Sequence, residues 1–427
     1  MPAEQVTKHA GQAQAAFEQA RTLHRNGQLS DAQEIYRQIL ALQPNHSEAL
    51  HLLGIIAAQT NDLPGAVDLI GRAITVNPSN AAFHYNIGVA QHDLGLFDKA
   101  LTSYERALQL DPRHAEAHNN RGVTLNMFKR FDEALACHER AVELKPDFAD
   151  AHSNRGTALK ELGRFEEALA CYDRVLELSP ESAEAHNNRG NALKRLRRFD
   201  EALASYQRAV ELRSEYAEVY NNQGNTLREM GRFEEALALY DRAIEIKPDY
   251  AEAYCGRGHA LRSLTRNEEA IECYKEALGL DPDFSEAHWN MSLCRLRLDD
   301  FLRGWEGYEW RLKHENLGLR KQSINQPLSQ GEESIDGKSV LIYLEQGLGD
   351  EIMFASIVPD AARSASHVAL MCEPRLKGLF TRSFPGIEVR THGEPEPQGM
   401  ECRYMIGSLA HLFRRHREDF PGTPYLV

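Results

Sequence analysis

The sequence predicts a mainly α chain, a superhelix of helix pairs, followed by a small α/β half domain. Three observations lead there. Prolines fall at Pro44, Pro78, Pro112, Pro146, Pro180, Pro248 and Pro282, on a 34-residue grid whose one gap is Ser214. Glycines (Gly54, Gly88, Gly122, Gly156, Gly190, Gly224, Gly258), alanines (Ala32 through Ala270) and tyrosines (Tyr36, Tyr104, Tyr172, Tyr206, Tyr240, Tyr274) keep the same beat. Beyond residue 318 the beat stops, and β-branched runs alternate with helical ones.

Each unit reads as two helices. In one, "ADAHSNRGTALKEL" is followed by a turn at Gly163 and Arg164, then by "FEEALACYDRVLEL", Ser179 and Pro180. Gly156 and Ala168 are small enough for helix axes to approach, Tyr172 fills the gap between neighbours, and Pro180 stops the helix. A lone pair cannot bury its apolar face, so the units must stack. The pattern resembles the tetratricopeptide (TPR) repeat over roughly the first two-thirds of the chain, which implies a right-handed superhelix. Residues 1–12 read as a tail and 13–318 as eight full repeats plus a degenerate cap, "SEAHWNMSLCRLRLDDFLRGWEGYEWRL". The cap puts Ser292 at the glycine position and adds Trp289, Trp305 and Trp310, aromatics expected to dock on the α/β domain.

Asn86, Asn120, Asn154, Asn188, Asn222 and Asn290 stand two residues before the glycine position of their units, a row broken by Leu52 and Gly256. In a TPR stack the first helices line the concave groove, so the row would form a ladder along it. An amide donates and accepts at once. Such a ladder can grip the backbone of an extended polypeptide whatever its side chains; it can equally bond helix to helix. The TPR half of O-GlcNAc transferases, which this array resembles, holds acceptor polypeptides by such a ladder. A second row, Lys160, Lys194, Arg228 and Arg262, reads either as contacts for an acidic partner or as a solvated face. The TPR pattern for gripping a C-terminal carboxylate is unmatched, because Asn119, Asn187, Asn221, Glu184 and Glu218 occupy positions where lysine would be needed. His118, His152, His186 and His288 share the repeat phase, too far apart to share a metal.

A formal net charge of -14 argues against nucleic acid or an anionic membrane as partner. Seven cysteines without a CxxC pair signal neither a disulfide framework nor a zinc site, so no metal and no cofactor is assigned. No secretory leader and no span-length apolar run is recognised, and a cytoplasmic location is expected.

Residues 319–337 read as a linker and 338–427 as the α/β domain. Strands are predicted at "KSVLIYLE", "HVALMCE", "IEVRTH" and the start of "CRYMIGSLAHLF", and helices at "DEIMFASIVPDAA", at "PRLKGLFTRSF" and after the last strand. The alternation implies a parallel, Rossmann-like sheet. The loop "EQGLGD" ends the first strand where such sheets bind ligands, with Gly347 and Gly349 allowing a tight turn and close approach of a ligand to backbone, and Asp350 read either as N-cap of a helix starting at Glu351 or as a general base. "LIYLEQGLGDEIMFASIVPDAA", with "WEGYEWRL" and "LSQGEESIDGKSV" before it, resembles the opening of heptosyltransferase-like and TPR-linked bacterial glycosyltransferases of the B fold. That resemblance implies that Asp350 takes the proton from an acceptor hydroxyl, with Gly347 and Gly349 as its positioning loop. It also implies a second, donor-binding domain for which residues 338–427 leave no room. The expectation is a TPR scaffold that binds extended polypeptides and carries the acceptor-side half of a glycosyltransferase-like domain. The alternative is an active inverting protein glycosyltransferase using a nucleotide sugar, should the chain be a piece of a longer protein.

Overall fold

The 34-residue beat is realised as successive helix pairs in the computed structural model, which describes residues 3–313, 328, 334–345, 347–420, 422 and 424–426, with side chains from residue 14 onward. The chain divides into two compact units, Met1–Arg213 and Ser214–Val427. The division falls at Ser214, the gap in the proline grid, and not at the change from repeats to α/β segment.

The first unit runs from the pair Ala3–Arg25 and Leu29–Leu42 to the pair Ala183–Arg195 and Phe199–Leu212. Its opening helix takes in most of the 1–12 stretch expected as a tail. Inside each pair the chain reverses through one residue in the left-handed region: Gly27, Asn61, Gly95, Lys129, Gly163 and Arg197, with φ between 57° and 78°. The in-phase glycines answer to packing. A Cβ at Gly156 would lie 2.7 Å from the Tyr172 ring, and one at Gly122 would lie 2.6 Å from His138, which replaces tyrosine in that unit. First helices of successive pairs also touch, as Ala81–Asp93 does Ala115–Met127.

In the second unit, Ala217–Glu229 with Phe233–Ile246 and Ala251–Ser263 with Asn267–Leu280 repeat this design. The cap, Ser285–Arg297 with Phe301–Tyr308, is shortened and ends in a 3-10 turn, Glu309–Lys313. Four parallel strands complete the unit: β1 Ser339–Tyr343, β2 His367–Cys372, β3 Glu388–Thr391 and β4 Cys402–Met405, in the order β3-β2-β1-β4. Ile342 faces Leu370 on one side and Tyr404 on the other. The helix expected over "DEIMFASIVPDAA" is broken into Leu348–Phe354, a 3-10 turn Ala355–Ile357, and Val358–Ser364. Pro359 has no N–H to continue the ladder and sits in the first turn of the last piece. The linker expected over 319–337 lies outside the described residues, apart from Leu328 and 334–337.

The aromatic cap does dock. Trp305 and Tyr308 join Val340, Ile342, Phe354 and Tyr404 in one core, and the Trp305 indole N–H donates to the Arg414 carbonyl at 2.8 Å. Trp310 turns back instead, stacked on His288 at 3.9 Å under the Lys313 ammonium. Arg311, fully buried, donates to both Glu345 carboxylate oxygens at 2.6 and 3.2 Å and ties the cap to the end of β1. All seven cysteines are free and buried.

Candidate functional site

The asparagine row sits on the first helices, and much of it is already engaged. Asn86 Nδ2 bonds His51 Nε2 at 2.8 Å, Asn120 Nδ2 donates to the Tyr85 hydroxyl at 3.2 Å, and Asn154 Nδ2 donates to Asn119 Oδ1 at 3.1 Å, each partner lying 35 residues back. These amides therefore stitch one pair to the one before. Asn290 is buried and donates to the Glu286 carbonyl of its own helix at 2.8 Å. Asn188 is half-buried and has no side-chain hydrogen bond among the described residues; Asn222 is half-buried with its side chain engaged. Asn119, Asn187 and Asn221, expected from the sequence at groove positions, are buried between helices instead. The in-phase histidines are structural as well: His118, His152, His186 and His288 each bond through Nε2 to the carbonyl of the proline six residues earlier, at 2.9 to 3.1 Å.

The basic row is brought together in part. Lys160 and Lys194 line one open hollow of about 390 Å³ with Asn191, Arg195 and Phe165. The Arg195 guanidinium stands 4.9 Å over the Phe165 ring, and Lys160 pairs with Glu161 at 3.1 Å. Three cations face one carboxylate there, in a chain that is acidic as a whole. The Asn191 amide oxygen is taken by the Tyr206 hydroxyl at 2.7 Å, which leaves its NH2 as the donor on the hollow. Arg228 and Arg262 are half-buried in the second unit and do not line this hollow.

At the end of β1 the helix starts at Leu348, so Asp350 is its third residue and not the cap of a helix starting at Glu351. Its carboxylate reaches back to the Gly347 N–H at 3.4 Å, a long bond that leaves it half-buried and lightly held. Gly347 has φ −119°, which any residue adopts, and a Cβ at Gly349 would meet nothing within 4 Å. The tight turn expected of these two glycines is therefore not what fixes them; their effect is to leave the loop bare. The neighbouring carboxylates are spent. Glu345 holds Arg311 and the Gly407 N–H, the latter at 3.0 Å. Glu351 accepts from the Glu373 N–H at 3.0 Å and faces His392 at 3.7 Å. Neither pairing has a sequence signal, because the partners lie on different elements with no shared period.

No helix among the described residues is long and apolar enough to cross a membrane. Models described as tetratricopeptide repeat match residues 17–75, 81–114, 115–148, 181–249 and 215–283, and one described as TPR repeat matches 156–196. Protein FlbA of Caulobacter vibrioides is 38% identical over 92 residues, which make up 21% of this chain and only 15% of that protein. Among solved structures, a tetratricopeptide repeat protein from Parabacteroides merdae is 20% identical with a TM-score of 0.49, over 58% of this chain and 98% of its own. YrrB, described as a TPR protein with an unusual peptide-binding site, is 26% identical with a TM-score of 0.35, over 43% of this chain and 95% of its own. Together the matched segments span more than half of the chain, all within the helix pairs described above: the chain belongs to the tetratricopeptide repeat proteins.

Proposed function

We propose that the repeats bind an extended, acidic polypeptide along their first helices, with Lys160, Lys194 and Arg195 taking its carboxylates and Asn188 and Asn191 its backbone. The hollow between two successive pairs carries this reading, since it concentrates cations where the chain overall is anionic. Asn86, Asn120 and Asn154 hold the helices in register with their NH2 groups, so any grip they add falls to their oxygens; Asn222, Asn290, Arg228 and Arg262 are secondary contacts at most. Fluorescence anisotropy of a labelled Asp/Glu-rich peptide against a neutral one of equal length tests it. The Lys160→Glu/Lys194→Glu variant should bind the acidic peptide at least tenfold more weakly, and added salt should weaken the wild type in the same sense. Equal binding of both peptides, unmoved by the variant, would sink the proposal.

The α/β segment is read as a Rossmann-like, acceptor-side half of a glycosyltransferase-like domain, with Asp350 as general base. Two features support this. The parallel order puts the loop holding Gly347, Gly349 and Asp350 at the carboxyl end of β1, where strand order reverses. Asp350 is also the one carboxylate of Glu345, Asp350 and Glu351 not committed to a close partner. Calorimetric titration with UDP, ADP and their sugar conjugates, on the wild type and Asp350→Ala, checks this half separately. Saturable binding supports nucleotide-sugar chemistry; no heat removes it and leaves the peptide reading standing.

A further inference from the structure

Cys255 and His259 set their unit apart from the two before it, and Glu286 keeps the acidic residue that Glu184, Glu218 and Glu252 hold at the same phase. Where other units hold Asn119, Asn187 or Asn221, this one holds Cys255; where they hold Asn191 or Asn225, it holds His259. The two lie four residues apart on the helix Ala251–Ser263, on one face of it. Glu286, from the first turn of the cap helix Ser285–Arg297, completes a group whose three ligand atoms all lie within 4.8 Å of one another. Cys255 Sγ is 3.6 Å from His259 Nε2, and His259 Nε2 is 3.6 Å from Glu286 Oε1.

Those two separations match the edge length of a coordination tetrahedron. Donors bound to zinc at roughly 2.0–2.3 Å stand about 3.3–3.8 Å apart. Sulfur, imidazole and carboxylate together suit Zn²⁺ far better than Mg²⁺ or Ca²⁺, which take oxygen donors. A second observation points to the same place. In two other units the tyrosine hydroxyl donates to the asparagine that His259 replaces, Tyr206 to Asn191 at 2.7 Å and Tyr240 to Asn225 at 2.9 Å. The matching Tyr274, 0% exposed and with its ring 5.7 Å from that of His259, has lost this acceptor and leaves its hydroxyl unbonded. The Tyr36 hydroxyl is unbonded as well, so the open hydroxyl marks the change at His259 and the three ligand atoms carry the site.

We infer that Cys255, His259 and Glu286 bind a thiophilic divalent cation of the zinc class and clamp the last full repeat to the cap. Cys255 and His259 are buried while the Glu286 side chain is 42% exposed, so the ion enters from the glutamate side and a water can take the fourth position. Burial, and next the Glu286 charge, push the Cys255 thiol well up, with Arg228 and Arg262 opposing. In the metal-free chain the sulfur therefore keeps its proton, which the dication displaces on binding.

The test uses the full chain, stripped of metal with a chelator, titrated with Zn²⁺ by calorimetry and with Co²⁺ by absorption. One saturable equivalent is expected, with a thiolate-to-cobalt charge-transfer band that disappears in Cys255→Ser. Zinc affinity should fall at least tenfold in both Cys255→Ser and His259→Asn. The second substitution returns the residue with which the preceding unit folds and gives Tyr274 back its acceptor, so the metal-free melting temperature should hold or rise. Weaker binding there then reports loss of a ligand and not loss of fold. Absence of a saturable equivalent, or a cobalt spectrum and zinc affinity unmoved by both substitutions, overturns the site.

Discussion

At Gly190 two effects of opposite sign meet. Alanine is the better helix former by about 1 kcal/mol. Its Cβ, however, would stand 2.5 Å from the ring of Tyr206, which is 0% exposed and has nowhere to go. Overpacking of this kind costs about 1–3 kcal/mol, so Gly190→Ala should lower stability in urea unfolding. Gly279→Ala, whose Cβ meets nothing within 4 Å, should raise it by up to about 1 kcal/mol. The second residue-scale effect is a pH response. His138 is fully buried with Nδ1 bonded to Asn119 Oδ1 at 3.0 Å, and burial pulls its imidazole down to about 4. Burial does the same to His51. The unfolded chain protonates these rings near their ordinary value of about 6.5, so it gains protons that the folded chain refuses. Stability is therefore lost as pH falls from about 6.5 towards 4, by about 2 kcal/mol per ring between pH 7 and pH 5. His138→Tyr, which restores the residue used by most other units, should flatten part of that slope; an unchanged slope would mean that the ring is not held neutral.

Among the elements, the helix pairs are legible because four residue types keep one beat, and each type answers to a physical demand of the stack. The left-handed turn residues are half legible. Glycine marks Gly27, Gly95, Gly163 and Gly231, but Asn61, Lys129, Arg197, Thr265 and Asp299 adopt the same conformation without a glycine to announce it. The four strands show plainly in their β-branched and apolar runs, while the first intervening helix has the composition of one continuous element and is nonetheless broken ahead of Pro359. The Arg311–Glu345 link is invisible in the sequence, since its residues lie 34 apart by accident on a 3-10 turn and a strand end. Removing one partner of a buried pair costs about 3–5 kcal/mol. Arg311→Ala should accordingly loosen the joint between cap and sheet, seen as new protease cleavage in the second unit and a lower unfolding midpoint. Arg311→Lys should fall between, because an ammonium keeps the charge but not the two-pronged geometry. The exposed pairs Arg164–Glu167 and Arg198–Glu201, though short at 2.6 Å, contribute little by comparison.

Over the whole molecule, features that repeat are easy to read in the sequence and departures from the repeat are not. The asparagine row is evident from its spacing, but its sharing of NH2 groups with His51, Tyr85 and Asn119 depends on the register of neighbouring helices, which no single unit encodes. Cys255 and His259 are hidden for the complementary reason: a shared pattern says nothing about a unit that departs from it, and Glu286 joins them only through the packing of the cap helix Ser285–Arg297. The burial of all seven thiols has one more consequence. Cys137 and Cys171 lie in the fourth and fifth pairs, Cys255 and Cys273 in the eighth, Cys294 in the cap, and Cys372 and Cys402 on the sheet. A sulfhydryl reagent reaches such groups only when their surroundings open. The chain thus carries its own set of labels for breathing motions, and alkylation resolved by mass spectrometry would rank its segments by how often each comes apart.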